Sequence, residues 1–195
     1  MATAEAKGFS TFAVEALMES FHHTTFEELL EVLDFEQDYK SRMSTSEIAI
    51  FDSQNRRIQL LYLQSAYNAE TMLNNLYPST QINPCSVYNG KGDAFRHAFF
   101  SALSTIRIGE VLTNQLTTAH EDRPTPSGYP VSNYNKEKQM DLYNNAKGRE
   151  IAINGSGLLW ELIKSAKENG ILRYLSNLNS GNCRATNSST LTPTN

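Results

Sequence analysis

The sequence predicts an all-α protein: a compact multi-helix domain with a long central helix and loops over a polar site. Apolar residues recur at helical spacing, capping patterns stand where helices would begin, and no stretch alternates convincingly enough to suggest a strand. The most regular apolar stripe comprises Ile58, Leu61, Tyr62, Ser65, Ala69, Met72 and Leu76. With 195 residues, 39% of them hydrophobic, the chain is long enough to bury a core in one domain.

Three helices are predicted in the first part of the chain. We expect them over residues 9–21, 26–43 and 46–76, the last with a break near residues 52–53. Thr25 followed by Glu28, and Ser44 followed by Glu47, match the capping box, a pattern that marks the start of a helix. Residues 1–44 would form a helical extension for delivery, docking or regulation, ahead of a catalytic all-α domain over residues 45–179.

Proline and glycine punctuate the rest of the chain. Further helices are expected over residues 93–108, from there to about 121, then over 136–153, 158–169 and 171–178. Residues 78–92 and 122–135 contain several prolines and glycines and predict loops, and the segment 124–130 would be a rim or lid over the site. Residues 180–195 are rich in Ser, Thr and Asn and are expected to form a disordered tail.

The charge and hydropathy restrict the partners. The net charge is −4 and no run of Lys or Arg occurs, so a broad nucleic-acid-binding or membrane-binding basic face is not favoured. No apolar stretch is long enough to span a bilayer. The first residues lack the hydrophobic run of a signal peptide. The protein would then stay in the cytoplasm, leave by a specialised secretion route, or have lost a signal.

The two cysteines, Cys85 and Cys183, do not fit a zinc–thiolate spacing. Two free thiols are the simpler interpretation. The alternative is one disulfide that would clamp the tail to the segment carrying the polar residues described next.

Three polar blocks carry the chemistry, and they are Asn89–Ala98, His120-Glu121 and Met140–Arg149. Asp93 and His97 stand four residues apart, as do Asp141 and Asn145, and four residues on a helix amount to about 40° of rotation. Each pair therefore points in one direction. The helix that carries Asp93 and His97 is apolar over most of its circumference, and charged groups buried there must be paired, hydrogen-bonded or metal-bound.

Each block alone also has a purely structural interpretation. The first would be a buried Asp–Arg pair beside a satisfied core histidine, the second a surface pair, and the third a set of capping and surface residues. Taken together, the blocks predict one site with oxygen and imidazole ligands, which suits Zn²⁺, Mn²⁺ or Mg²⁺. The expected metal ligands are Asp93, His97, His120 and Asp141.

The remaining site residues would act on the substrate. The expected catalytic residues are His97, His120, Glu121, Asp141 and Arg96, and the expected substrate-binding residues are Lys91, Asn144, Asn145 and Arg149. Glu121 would be the general base, and the basic residues would stabilise developing negative charge. Without a metal, His97 or His120 would be the base, oriented by Asp93, Asp141 or Glu121.

The three blocks resemble the signature of an uncharacterised bacterial domain family found in secreted and polymorphic-toxin proteins. Its pattern Asn-Gly-x-x-Asp-Ala-x-Arg-His-Ala, then His-Glu, then Met-Asp-x-x-Asn-Asn-x-x-Gly-Arg is present here in order, and the resemblance covers roughly residues 46–153. It implies an exported activity, with a cognate immunity protein or a secretion apparatus as partner. It does not imply a substrate.

The leading hypothesis is a secreted or injected antibacterial effector: a metal-assisted hydrolase that acts on a phosphoester in lipid or nucleic acid. One alternative is a metal-independent acid–base hydrolase of a cell-wall component such as a glycan or peptide. The other is a non-enzymatic binding module, in which the polar residues form a buried stabilising network.

Overall fold

The computed structural model describes residues 26–77 and 84–195, and these fold into a compact helical domain with one small sheet. Its seven α-helices are α1 (Phe26–Arg42), α2 (Thr45–Asp52), α3 (Arg56–Leu76), α4 (Lys91–Ile108), α5 (Glu110–His120), α6 (Val131–Asn154) and α7 (Leu159–Glu168). A 3₁₀ turn spans Pro84–Ser86, and the strands are β1 (Arg173–Leu175) and β2 (Leu191–Pro193). The predicted all-α class is confirmed. The predicted helix over residues 9–21 and the capping residue Thr25 lie outside the described residues.

The predicted helix start at Ser44 and the predicted break near residues 52–53 are confirmed, whereas α6 begins at Val131, inside the segment predicted as a loop. The Ser44 hydroxyl accepts a hydrogen bond from the backbone N–H of Glu47 at 2.9 Å and caps α2. Helix α2 ends at Asp52, and Asn55 caps α3 by accepting from the backbone N–H of Ile58 at 3.1 Å. Helix α1 packs on α3 and contributes Val32 to the main core, so this part of the predicted extension is continuous with the domain.

Helix α4 is the centre of the fold, because α3, α5, α6 and α7 all pack against it. Phe95, Ala98 and Ala102 on this helix are completely buried, and Phe99 nearly so. A helix that is apolar almost all round is stable in water only when other elements surround it. No helix in the described part of the chain combines the length and apolar character that a bilayer crossing requires.

Helices α4 and α6 are in close backbone contact at Gly148. A Cβ atom at this position would lie 2.0 Å from the carbonyl oxygen of Ala98. The glycine is therefore required inside a helix, although glycine there costs about 1 kcal/mol relative to alanine. This close approach brings the polar face of α6 next to Asp93 and His97 of α4.

The last part of the chain corrects two expectations, the helix over residues 171–178 and the disordered tail over residues 180–195. Strands β1 and β2 pair antiparallel there, with Tyr174 opposite Thr192. The Ser and Thr side chains that suggested disorder bond to the backbone instead; the hydroxyls of Thr186 and Ser189 both donate to the carbonyl of Asn177. Short polar side chains of this kind stabilise irregular backbone.

A disulfide joins Cys85 to Cys183, with 4.9 Å between the Cα atoms, so the expectation of two free thiols is corrected. The bond ties the loop before α4 to the tail. Two hydrogen bonds reinforce it: the Asn89 side chain donates to the carbonyl of Cys183 at 3.0 Å, and the Leu175 N–H donates to the carbonyl of Asn89 at 3.0 Å. The segment that starts α4 is therefore held from the tail.

Replacing Gly148 with alanine is expected to lower the free energy of unfolding by more than about 3 kcal/mol, because the new methyl group meets backbone atoms that have no free rotation. Gly181→Ala is the matched control, since its Cβ would meet only the Asn179 side chain at 3.4 Å. Urea unfolding followed by circular dichroism measures both. Equal stability of the two variants would contradict the close helix approach.

Removing the disulfide in a Cys85→Ala/Cys183→Ala double variant is expected to cost about 2–5 kcal/mol, because the bond closes a loop between residues 98 positions apart. Reduction should shift the urea midpoint of the wild type and leave that of the double variant unchanged. Thiol titration of the denatured, unreduced wild type should find no free thiol. Two free thiols per chain would contradict the assignment.

Candidate active site

The three sequence blocks meet at one pocket of about 740 Å³. Helix α4 contributes Asp93, Arg96 and His97 to the pocket wall. His120 and Glu121 come from the end of α5, and Asp141 and Asn145 come from α6. Pro124 and Pro126 of the following loop also line it, as expected for a rim. The predicted convergence of the three blocks is therefore what the structure has.

Asp93 is 2% exposed, and both of its carboxylate oxygens accept hydrogen bonds. Its Oδ1 accepts from Arg96 Nη2 at 2.6 Å and Nε at 3.0 Å, and its Oδ2 accepts from the backbone N–H of Asn89 at 2.6 Å. Burial opposes ionisation of Asp93, but the Arg96 guanidinium, His97 and the Asn89 N–H outweigh it and lower the pKa of Asp93. Asp93 is therefore ionised at neutral pH.

His97 lies between the two carboxylates. Its Nε2 is 3.2 Å from Asp141 Oδ1, 3.6 Å from Asp93 Oδ1 and 3.0 Å from Arg96 Nη2. Burial lowers the pKa of His97 to about 3, and the positive charge of Arg96 acts in the same direction. The imidazole is therefore neutral at neutral pH, which is the form that binds a metal ion.

Three oxygens of the pocket residues lack a donor. Asp141 Oδ1, Glu121 Oε1 and Asn145 Oδ1 are buried without a hydrogen-bond partner among the described residues. Burial raises the pKa of Asp141, and Glu121 and Asp93 raise it further. Burial also raises the pKa of Glu121. Buried acceptors in such a group need a proton, a water molecule or a cation.

Asp93, His97 and Asp141 form a group that could hold a metal ion. Their ligand atoms all lie within 4.8 Å of one another, and all three residues are buried. Ligands about 2.0–2.2 Å from one ion are roughly 3–3.6 Å apart, which matches the separations of 3.2 and 3.6 Å measured from His97 Nε2. Two carboxylates and one imidazole are the ligand types that suit a hard or borderline divalent ion.

His120 was also expected to be a metal ligand, but it lies outside this group of three. Its Nδ1 is 2.6 Å from Glu47 Oε2, and its ring stacks on Tyr39 with 6.2 Å between the ring centroids. The carboxylate and the aromatic ring fix the imidazole at the pocket wall. His120 therefore faces the pocket apart from the group of three, and its role as a ligand stays a prediction.

Three of the four predicted substrate-binding residues do not line the pocket. Lys91 Nζ donates to the carbonyl of Asn195 at 3.0 Å, and Arg149 Nη1 donates to Thr117 Oγ1 at 3.4 Å. Asn144 bonds to both backbone groups of Arg173, accepting from its N–H at 3.0 Å and donating to its carbonyl at 2.8 Å. These side chains fix the tail and the helices, and only Asn145 remains at the pocket.

Sequence reasoning missed Arg123, which lines the pocket, and Glu47, which lies buried behind His120. Arg123 lines the pocket, and among the described residues no carboxylate lies within ion-pair distance of it. Its position two residues after Glu121 was a usable signal. Glu47 is completely buried behind His120. Its place in the capping pattern at the start of α2 gave no indication that its side chain also contacts His120.

Residues 51–177 match the family described as a domain of unknown function, DUF6973. The chain belongs to this family. The DUF6973 segment contains all three polar blocks and helices α3 to α7. No curated protein and no solved structure matches the chain.

The site extends beyond the DUF6973 segment. Arg42 comes from α1 ahead of the matched residues, and Arg184, which also lines the pocket, comes from the tail behind them. The tail further bonds to Glu137 of α6, whose Oε1 accepts from the N–H of Ala185 at 2.8 Å and from Asn89 Nδ2 at 3.1 Å. The residues on both sides of the DUF6973 segment therefore complete the pocket.

The adjacent asparagines of α6 are expected to respond differently to replacement. Asn144→Ala leaves the part-buried backbone groups of Arg173 without their side-chain partner and should cost about 1–3 kcal/mol. Asn145→Ala removes a buried oxygen that has no donor and should cost less than about 1 kcal/mol. Thermal unfolding of both variants measures the difference. A larger loss for Asn145→Ala would mean that this residue has a structural role.

Proposed function

We propose that this DUF6973 protein is a metal-assisted hydrolase that cleaves a phosphoester, in lipid or nucleic acid, and that it acts as a secreted or injected bacterial effector. One observation carries the proposal: two buried carboxylates and a neutral imidazole converge on one point at the pocket wall, and Asp141 Oδ1 has no donor there. Asp93, His97 and Asp141 would hold a divalent ion, Zn²⁺, Mn²⁺ or Mg²⁺, which would complete the contacts of Asp141 Oδ1 and stabilise negative charge on a phosphoryl oxygen.

The residues around the three ligands have separate roles. Arg96 fixes Asp93 in place through two hydrogen bonds and supplies positive charge beside the ligands. Glu121 is the general base in this proposal, since its buried Oε1 is unpartnered and its raised pKa brings it closer to neutral pH. Asn145 provides a further unpartnered oxygen that orients a ligand or substrate.

The arginines of the pocket support a phosphoester over a neutral substrate. Arg123 takes the role that Lys91 and Arg149 had in the sequence-based expectation, because it lines the pocket and faces no carboxylate within ion-pair distance among the described residues. Together with Arg96 it places two guanidinium groups near a hard cation. Guanidinium groups bind phosphate oxygens through pairs of hydrogen bonds.

The disulfide supports an exported protein. Disulfides such as Cys85–Cys183 form and persist in oxidising compartments and are rare in a reducing cytosol. The same reasoning supports action outside the producing cell. An immunity protein or a secretion apparatus is the partner that such an effector would require.

A second candidate function is acid–base hydrolysis of a cell-wall component without a metal, and the position of Arg96 favours it. Arg96 Nη2 lies 3.0 Å from His97 Nε2, the nitrogen that a metal ion would bind. The pKa of Asp93 is lowered and that of Asp141 is raised, which is the arrangement of a general base beside a general acid. In this candidate, Asp141 donates a proton to the leaving group and Asp93 stays ionised.

Metal analysis separates the two candidates. The full chain, purified without chelator, is expected to contain about one divalent ion per molecule by mass spectrometry. Asp141→Asn should lower the affinity for added Zn²⁺ or Mn²⁺ by about 10- to 100-fold in calorimetric titrations, because one ligand loses its charge. Glu70→Gln is the control, since Glu70 lines the pocket outside the group of three.

The hydrolysis assay uses bis(p-nitrophenyl) phosphate as the probe. Chelation should abolish turnover, and the metal that binds most tightly should restore it. Full turnover in metal-free protein would contradict the metal-assisted proposal and favour the acid–base candidate. A third outcome is no turnover and no metal, with a large loss of stability in Asp141→Asn, and it would leave a structural polar network as the explanation of the site.

A further inference from the structure

Glu47 and His120 form a dyad behind the pocket. Glu47 is completely buried, and its Oε2 lies 2.6 Å from His120 Nδ1. The other oxygen, Oε1, accepts from the hydroxyl of Tyr62 at 2.8 Å. The ring of Tyr39 stacks on the imidazole with an interplanar angle of 16°. The carboxylate and the ring of Tyr39 therefore fix the imidazole in position and in rotation.

This contact determines which nitrogen of His120 carries a proton. A carboxylate oxygen accepts hydrogen bonds, so the proton between the two groups belongs to Nδ1. The neutral imidazole then has its lone pair on Nε2, and no described residue forms a hydrogen bond with that nitrogen. Because the side chain of His120 is 14% exposed and lines the pocket, Nε2 is the atom available to a substrate or water.

The attachment of α2 to α5 does not depend on this dyad. The Ser44 hydroxyl already donates to the carbonyl of Ala119, next to His120, and the Ser46 hydroxyl donates to Asp122 Oδ2 at 2.7 Å. A purely structural contact at the position of Glu47 would not need a charge. Burying a carboxylate costs several kcal/mol unless its partners compensate, and His120 is the partner that faces the pocket.

We infer that Glu47 is a positioning residue for the reaction, and that it holds His120 in the form whose Nε2 takes and returns the proton of the hydrolysis. The inference rests on the proposed function and changes one role in it: His120 replaces Glu121 as the general base. Glu121 then acts next to His120 at the same wall of the pocket, and its unpartnered oxygen orients the attacking water.

His120 alone accepts and returns the proton in this step. The oxygen of a water molecule forms a bond to phosphorus while His120 Nε2 accepts a proton from that water. The bond between phosphorus and the leaving oxygen breaks, and Nε2 returns the proton to the leaving oxygen. Glu47 exchanges no proton and stabilises the imidazolium that exists between the two transfers.

The test replaces Glu47 with glutamine in the full chain. The amide can donate to Nδ1, so Glu47→Gln is expected to move the imidazole proton of His120 to Nε2. Long-range ¹H–¹⁵N spectra of labelled protein report the tautomer, and a His120→Gln variant assigns the signals. Turnover of bis(p-nitrophenyl) phosphate is expected to fall by about 10²- to 10⁴-fold, as when the orienting acid of a catalytic triad is replaced by its amide.

Tyr62→Phe is the matched control. It removes the other hydrogen bond of Glu47 at the same depth in the core and leaves the contact with His120 in place. This variant should lose stability, with the His120 tautomer kept and turnover within about threefold of wild type. Thermal unfolding of both variants shows whether a lower turnover of Glu47→Gln is only a loss of folded protein.

Each outcome decides the inference. An unchanged tautomer in Glu47→Gln would overturn it, and so would a changed tautomer with undiminished turnover. An equal fall of turnover in Tyr62→Phe would show that Glu47 acts through stability alone, which also overturns it. If wild-type protein binds no metal and does not cleave the probe, the proposed function fails. The positioning of His120 by Glu47 is then judged by the tautomer alone.

Discussion

The burial of a charged side chain on the central helix is the constraint on which the rest of the structure depends. Helix α4 lies at the centre of the domain and carries Asp93, whose charge must be compensated where water cannot reach it. Arg96 supplies the opposite charge, and the backbone of Asn89 supplies one further donor. The loop that contains Asn89 therefore needs a fixed position. The disulfide, the tail and Glu137 hold it there from three directions.

Hydrogen-bond donors are distributed unevenly over the buried oxygens of the pocket, and this distinguishes the pocket from an ordinary buried polar network. The donors are concentrated on Asp93, whereas Asp141, Glu121 and Asn145 each have a buried oxygen without a donor among the described residues. A network selected only for stability would satisfy both sides, because an unpaired buried acceptor costs about 1–3 kcal/mol. The unpartnered oxygens lie beside His97 in the pocket lining, where a ligand can reach them.

The sequence predicted the elements that depend on local pattern and missed those that depend on distant contacts. Apolar periodicity and the Ser44 cap predicted the helices that carry the three blocks, whereas the helix predicted over residues 171–178 was wrong. The tail could not be predicted, because its order comes from Cys85 and from α6, far away in sequence. Asn144 and Asn145 are adjacent residues of the same type, so the sequence alone does not tell their roles apart. About 100° of helical rotation turns one to the tail and the other to the pocket.

That rotation has a mechanical consequence. Helix α6 has side chains on two faces that make different contacts. Asp141 and Asn145 line the pocket, and Asn144 bonds to the backbone of β1. A ligand that binds Asp141 and Asn145 contacts the same helix that bonds to the tail. Close packing at Gly148 leaves this helix little room to deform locally. A displacement of α6 at the pocket would therefore also move the attachment of the tail at Asn144.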